Sequence, residues 1–260
     1  MESTLITELG DRLYGALTTR ETLAPLTDSH PGMSVEDAYH VQQRMVQSRL
    51  DAGEKVVGKK IGVTSKAVMD MLGVYQPDFG YLLSGMVYGE GESIALDTLI
   101  QPKAEGEIAF VLKKDLMGPG ITNAMVLAAT ECVMPCFEIV DSRIRDWKIK
   151  IQDTVADNAS CGVFVLGDRA VSARNVDLST CGMVLERNGE VIGTGAGAAA
   201  LGSPVNAVAW LANTLGRFGI GLKAGEVVLS GALAAMAPVK SGDSFRVAIG
   251  GIGACSVRFA

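Results

Sequence analysis

PKAEGEIAFVL, residues 102–112, carries two acids, Glu105 and Glu107, into a segment that closes on Ile108, Phe110 and Val111. β-branched and aromatic residues at that density mark a strand. Residues two apart on a strand share a face, so the two carboxylates project together, with Gly106 leaving space between them. Like charges held this close require a cation, a proton or water; the plainer alternative is a solvent-facing edge with two surface acids. VMPCFEIVDS, residues 133–142, argues against that alternative, because it sets Glu138 in the middle of an apolar strand, where an unpartnered carboxylate is too costly to keep. Three carboxylates without His or Cys suit one hard cation, Mg²⁺ or Mn²⁺, with positions left for water and substrate. Asp141 stands either behind this site as an acceptor or against Arg143 in an ordinary ion pair.

Upstream, GKKIGVTS at residues 58–65 alternates Lys59 and Lys60 to opposite faces. Lys60 shares its face with Gly58 and Gly62, whose missing side chains would let a ligand approach the backbone. Lys60 is the candidate catalytic lysine, either with a pKa lowered by a nearby metal or as a charged grip for a carboxylate. Its face being open, truncation should cost chemistry more than stability. Asp78, in QPDFGYL, is expected on a tight loop. Downstream, QDTVADNASCG at 152–162 is rich in small polar residues and could present Asp157, Asn158 or Ser160 to a ligand; the plainer alternative is a solvated loop. GAGAAALGSP at 195–204 leads into a helix N-terminus, where N–H groups can meet an anion, but it lacks the nucleotide-binding spacings.

Around these motifs the chain changes texture once. Leu5, Leu9, Leu13 and Leu17 recur four apart, predicting a docking helix over 4–18. A second helix starts at Ser34, with Asp37 at the capping-box position, and runs to Gly53. From Lys55 short strands take over, at 55–63, 104–113, 133–140, 161–166, 181–186, 226–230, 244–249 and 254–259, with helices at 122–131 and 204–217. Ser203 should cap the last helix and Pro204 open it. Strands without regular βαβ alternation predict an α+β fold, a mixed sheet curled around a site. At 260 residues we expect one catalytic domain over 1–260, with a helical segment at 1–54 and a β-rich body at 55–260.

Composition narrows the function classes. A net charge of −6 and dispersed basic residues give no field for a nucleic-acid backbone. The five cysteines lie among apolar residues, unpaired in sequence, and read as reduced, buried thiols. Glu2, Glu8 and Asp11 spoil a signal peptide, and no apolar run is long enough to span a bilayer, so a cytoplasmic protein away from membranes is expected. His30 and His40 lie in the helical start with no nucleophile elbow near them, which disfavours a hydrolytic triad.

Taken in order, GKKIGVTS, QPDFGYL, PKAEGEIAF, CFEIVDSR, VADNAS, GAGAAALGSP, WLANTL and AGEVVLSGALAAMAPVKSGDSFRVAIGGIG resemble the fumarylacetoacetate hydrolase superfamily across essentially the whole chain. Within it they resemble the branch of hydratases and decarboxylases that act on 2-hydroxydienoates and 2-oxo acids. The resemblance implies a mixed β-roll and a Mg²⁺ or Mn²⁺ held by Glu105, Glu107 and Glu138. It also implies an active-site lysine at Lys60 and substrate-proximal positions at Asp78 and Ser160. Lys59 and Asp78 stand where the decarboxylase text is apolar, which favours water addition to 2-hydroxypenta-2,4-dienoate. Decarboxylation of 2-oxo-3-hexenedioate is the alternative, and a catalytically silent partner of that decarboxylase is the alternative of another class. A homo-oligomer, and a complex with the related decarboxylase, also follow from the resemblance.

Overall fold

The computed structural model describes residues 1–66, 69–70 and 75–260. Three helices open the chain, α1 (Ser3–Thr19), α2 (Leu26–Ser29) and α3 (Val35–Asp51). Leu9 and Leu13 of α1 are fully buried, and α1 packs on α3, with Gly10 letting Arg44 lie close. The capping box at α3 forms as expected: Ser34 Oγ accepts from the Asp37 N–H, and Asp37 accepts from the Ser34 N–H at 3.0 Å. These helices do not stand apart, because apolar contacts run from them through the strands to Phe259.

Two sheets follow. The strands are β1 (Val56–Gly62), β2 (Asp78–Leu83), β3 (Val87–Tyr88), β4 (Ser93–Ile94), β5 (Pro102–Leu112), β6 (Thr130–Asp141), β7 (Cys161–Leu166), β8 (Gly182–Arg187), β9 (Glu190–Ala196), β10 (Val227–Leu229), β11 (Ala237–Pro238), β12 (Ser244–Ile249) and β13 (Gly253–Phe259). The larger sheet runs β2-β1-β10-β5-β6-β7-β3, with β11 also on β5; the smaller runs β4-β13-β12-β8-β9. Both are mixed, since β1 pairs β10 and β13 pairs β4 in parallel among otherwise mainly antiparallel neighbours. The mixed architecture agrees with the α+β expectation.

Remaining helices are α4 (Asn123–Ala129), α5 (Ile151–Ala156) and α6 (Pro204–Arg217). The expected helix at 122–131 is shorter, because Thr122 is its cap and Thr130 already begins β6. Ser203 precedes α6 without a side-chain cap; Pro204 alone marks its start. Several elements were not anticipated, among them α2, α5, β2 and β9. β9 is an exposed edge joined to β8 by Asn188-Gly189, both at positive φ, a hairpin turn of the Asn-Gly kind. The polar run at 152–162 is no loop: it is α5, a short left-handed turn and the start of β7.

Glycine placement corrects three sequence arguments. Gly106 does not open space between the two acids; a Cβ there would meet Val247 of the smaller sheet at 2.8 Å, on the opposite face. Gly58 admits the β10 backbone, since its Cβ would lie 2.0 Å from the Val227 carbonyl. Gly195 and Gly197 likewise abut the Leu233 and Leu178 carbonyls, so the glycine-rich run serves chain packing rather than an anion. Among the described residues no helix is long and apolar enough to cross a membrane.

Candidate metal and acid–base site

β10 ends at Leu229, which stands opposite Lys60 on one side and Ala109 on the other. Past that point the chain still follows β5, with the Ser230 N–H donating to the Ile108 carbonyl and the Leu233 N–H to the Gly106 carbonyl, and a notch lies beside it. Gly62 and its partner Asp78 line one side of it, Glu107 and Glu105 the other. Glu138 faces Glu105 directly across the β5–β6 pair. One carboxylate oxygen from each of Glu105, Glu107 and Glu138 lies within 4.8 Å of the others.

Electrostatics of this trio are unfavourable as they stand. Glu107 and Glu138 are fully buried, Glu105 half-buried. Glu107 Oε2 accepts the Gly231 N–H at 2.7 Å, but Glu107 Oε1 and both Glu138 oxygens have no hydrogen-bond partner among the described residues. Lys60 Nζ approaches Glu138 Oε1 to 3.1 Å as an ion pair, off hydrogen-bond geometry. Burial, then mutual repulsion with Glu138, pushes Glu105 up to about 7. Burial followed by the neighbouring acids raises Glu107 further, and burial also raises Glu138 despite Lys60. Orphaned, convergent oxygen atoms on acids that resist ionisation are what a divalent cation would complete.

Lys60 is 2 % exposed, and burial alone would lower its pKa, but Glu138 and Asp78 outweigh that and hold it above the ordinary lysine range. It is therefore an ammonium, not a free amine, and it is ion-paired rather than facing open space. The open face on which a small cost of truncation was expected is therefore absent. Lys59, on the other face, is also buried and bonds Glu226 at 2.8 Å.

Asp78 opens β2 rather than sitting on a loop, and it is 1 % exposed. A Cβ on Gly62 would fall 2.2 Å from Asp78 Oδ1 and 3.3 Å from Lys60 Nζ, so the room left by Gly62 is taken by Asp78 and not by a ligand. Burial raises the Asp78 pKa against the pull of Lys60 and the Thr154 hydroxyl. Ser160 closes a left-handed turn in which Asn158, Ala159 and Ser160 have φ of 56°, 51° and 50°. Asn158 pins that turn to β2, accepting the Tyr81 N–H at 2.7 Å and donating to the Tyr81 carbonyl at 2.9 Å. Val63, another pocket residue, has φ 54°, rare for a β-branched side chain, so backbone strain gathers around the notch.

Of the other polar candidates, Asp157 is occupied by Arg143 (Nε–Oδ1 2.5 Å), with Ser142 and Ser160 on its second oxygen. Asp141 does neither job proposed for it: its carboxylate accepts the Ile100 and Gln101 N–H groups. Sequence reasoning passed over Thr154, Trp147, Ile149 and Met236, which join Lys60, Asp78, Glu105 and Ser160 around a cavity of about 70 Å³. Trp147 is braced by Lys103, whose Nζ lies 4.1 Å from the ring centre. Their common signal is weak, since they come from three separate segments.

Residues 60–260 match the family described as fumarylacetoacetate (FAA) hydrolase C-terminal. The chain belongs to this family. It is 72% identical over 221 residues to a 2-hydroxypent-2,4-dienoate hydratase of Pseudomonas putida, covering 85% of this chain and 100% of that protein. With a 2-hydroxyhexa-2,4-dienoate hydratase of Comamonas testosteroni it shares 61% identity over 252 residues, 96% of each chain. Among solved structures it is similar to a 4-oxalocrotonate decarboxylase of Pseudomonas putida G7 complexed with magnesium and adipate, at TM-score 0.97 and 38% identity, covering 100% of this chain and 99% of that one.

Proposed function

We propose that this member of the family is a metal-dependent hydratase that adds water to 2-hydroxypenta-2,4-dienoate, giving 4-hydroxy-2-oxopentanoate in the breakdown of aromatic compounds. The 72% identity to a hydratase of that substrate carries the reading over the decarboxylase, whose relative shares the fold at 38%. Glu105, Glu107 and Glu138 would hold a divalent cation, Mg²⁺ or Mn²⁺, with the orphaned carboxylate oxygens as the supporting observation. Bound there, the cation supplies Lewis acidity toward the 2-oxo carboxylate end of the substrate.

The protein groups divide the remaining work. Lys60, held as an ammonium, offers fixed positive charge to enolate character at C2. One ammonium faces four carboxyl groups here, so Asp78, raised by burial, is suited to carry a proton when the pocket is full. Delivery of a proton to C5, with release of the 2-hydroxyl proton that C3 later takes up, ketonises the dienol and makes C4 electrophilic. Water then adds at C4, its proton returns to Asp78, and C3 takes the last proton, so that the sum is one water gained. Ser160 Oγ positions the substrate, and Val140, Ile149 and Met236 form the apolar wall along its hydrocarbon end.

We also take the chain to act as one domain. Gln42 of α3 supports this, donating to the Phe79 and Val155 carbonyls at 2.8 and 3.0 Å and so tying the helical start to the segments that carry Asp78 and Thr154. A cytoplasmic homo-oligomer, alone or with the related decarboxylase, is the setting we propose. The test of function is direct: purified protein with Mg²⁺ is given freshly generated hydroxydienoate or 2-oxo-3-hexenedioate. Formation of 4-hydroxy-2-oxopentanoate from the first is expected; CO₂ release from the second without hydration of the first would overturn the reading.

A further inference from the structure

Thr154 belongs to no motif that the hydratase reading uses, yet its hydroxyl stands between two groups that the reading does use. It is 5 % exposed, on α5, with Oγ1 3.4 Å from Asp78 Oδ2 and 3.4 Å from Ser160 Oγ. Ser160 Oγ in turn lies 3.1 Å from Asp157 Oδ2. Asp157 cannot yield, because it is fully buried, paired with Arg143, and bonded to the Ser142 hydroxyl at 3.1 Å and the Arg143 N–H at 3.0 Å. The result is a row of polar groups running Asp157, Ser160, Thr154, Asp78, fixed at one end and free at the other.

Counting hydrogens defines what the row does. Each hydroxyl has one hydrogen to give and lone pairs to receive. With Asp78 as a carboxylate, Thr154 donates to Asp78 and Ser160 can donate to Thr154. With Asp78 carrying a proton, Asp78 donates to Thr154, Thr154 to Ser160 and Ser160 to Asp157. Both arrangements satisfy every member, and only hydrogens change place. A methyl group at Oγ1 would serve neither. Asp78 Oδ1, meanwhile, is without a hydrogen-bond partner and lies at the Gly62 side, near Lys60.

We infer that Thr154 is a positioning residue for the hydration reaction: its hydroxyl holds Asp78 Oδ2 in either protonation state, leaving Oδ1 to face the substrate. This inference rests on the hydratase reading.

The test is a cycle of Thr154→Val, Asp78→Ala and the double variant, with Thr154→Ser as the conservative change and Thr154→Ala as a second hydroxyl-free variant should Val fail to fold. On Mg²⁺-loaded protein, Thr154→Val should lower kcat by roughly tenfold or more with KM within about twofold, and Thr154→Ser should recover it to within about threefold of wild type. In the Asp78→Ala background, Thr154→Val should change kcat no further. An unchanged kcat for Thr154→Val, an equal loss in both backgrounds, or failure of Ser to rescue would overturn the proposal. If wild type does not hydrate the dienoate, the reading of function fails by itself, and the Thr154–Asp78 link is then judged by thermal unfolding of the same four proteins. A smaller Tm drop from Thr154→Val in the Asp78→Ala background is expected, and equal drops would overturn the link.

Discussion

Lys60→Met replaces the ammonium of the notch with an uncharged side chain of similar length. Its partner Glu138 is fully buried at 3.1 Å, so the variant strands a carboxyl group with no counter-charge. Removing one partner of a buried pair costs about 3–5 kcal/mol, which for a chain of this size lowers Tm by about 10 °C. The loss is pH-dependent with a definite sign. Acids raised in the folded state hold more protons there than in the unfolded chain, so stability falls as pH rises through their window. Without Lys60 that window moves higher for Glu138, and the deficit of the variant should be larger at pH 8 than at pH 5. A bound Mg²⁺ restores positive charge beside Glu138 and should remove at least half of the deficit. The assay is reversible denaturation of both proteins at the two pH values, with chelator and with saturating Mg²⁺, alongside kcat. Turnover should fall by roughly a hundredfold or more even in Mg²⁺, because a preorganised charge at the developing enolate is lost. The same Tm deficit under all four conditions would refute Lys60 as the counter-charge of the acids.

Three further outcomes follow from the same geometry. Chelation should abolish turnover and Mg²⁺ or Mn²⁺ restore it, while Glu107→Gln should weaken Mg²⁺ binding, read by calorimetry, by more than the roughly 10–100-fold lost when a merely orienting group is removed; the chelated variant should be no less stable than wild type, since one buried charge is gone. Asp78→Asn should cut hydration by about a hundredfold in a steady-state assay, the scale of a general acid–base group. Chelated wild type should lose stability as pH rises from 4.5 through about 7, because burial and Glu138 raise the folded pKa of Glu105 to about 7; a denaturation series that rises with pH over that range would contradict the burial of these acids.

How much of this was legible in the sequence depended on how local each signal is. Glu105, Glu107 and Glu138 could be grouped because strand alternation fixes a face within two residues and an acid among apolar neighbours advertises itself. The capping box at Ser34 and the bounds of β7, β12 and α6 were readable for the same reason. Asp78 could not be placed, because its position depends on antiparallel pairing with Gly62, sixteen residues away in chain order and invisible to any periodic pattern. Nor could the role of Gly62, which is to admit a carboxylate from the neighbouring strand. The run at 152–162 was read as a loop because small polar residues have weak helix propensity, yet the Thr27 hydroxyl and N–H both bond Asp153 and anchor the first turn of α5. Residue identity suggested Asp157 as a ligand-facing group; Arg143, which pairs with it across a gap of fourteen residues, withdrew it.

The notch itself has a thermodynamic logic that joins stability to function. Beyond Leu229 the chain leaves its pairing with β1 and gives the Gly231 N–H to Glu107, while Glu138 keeps only Lys60 beside it. What remains are raised, partly orphaned carboxyl groups, a cost the rest of the core must carry. A cation present at a hundred times its Kd would contribute about 2.7 kcal/mol to folding and so offset part of that cost. The order of the notch and its occupancy are therefore a single equilibrium: conditions that protonate the acids stabilise the bare chain and weaken the metal together. Under the proposed function these acids would stand ready for a cation at the expense of the bare chain's stability, so that the costliest cluster of charge in the larger sheet would also be the one that meets the substrate.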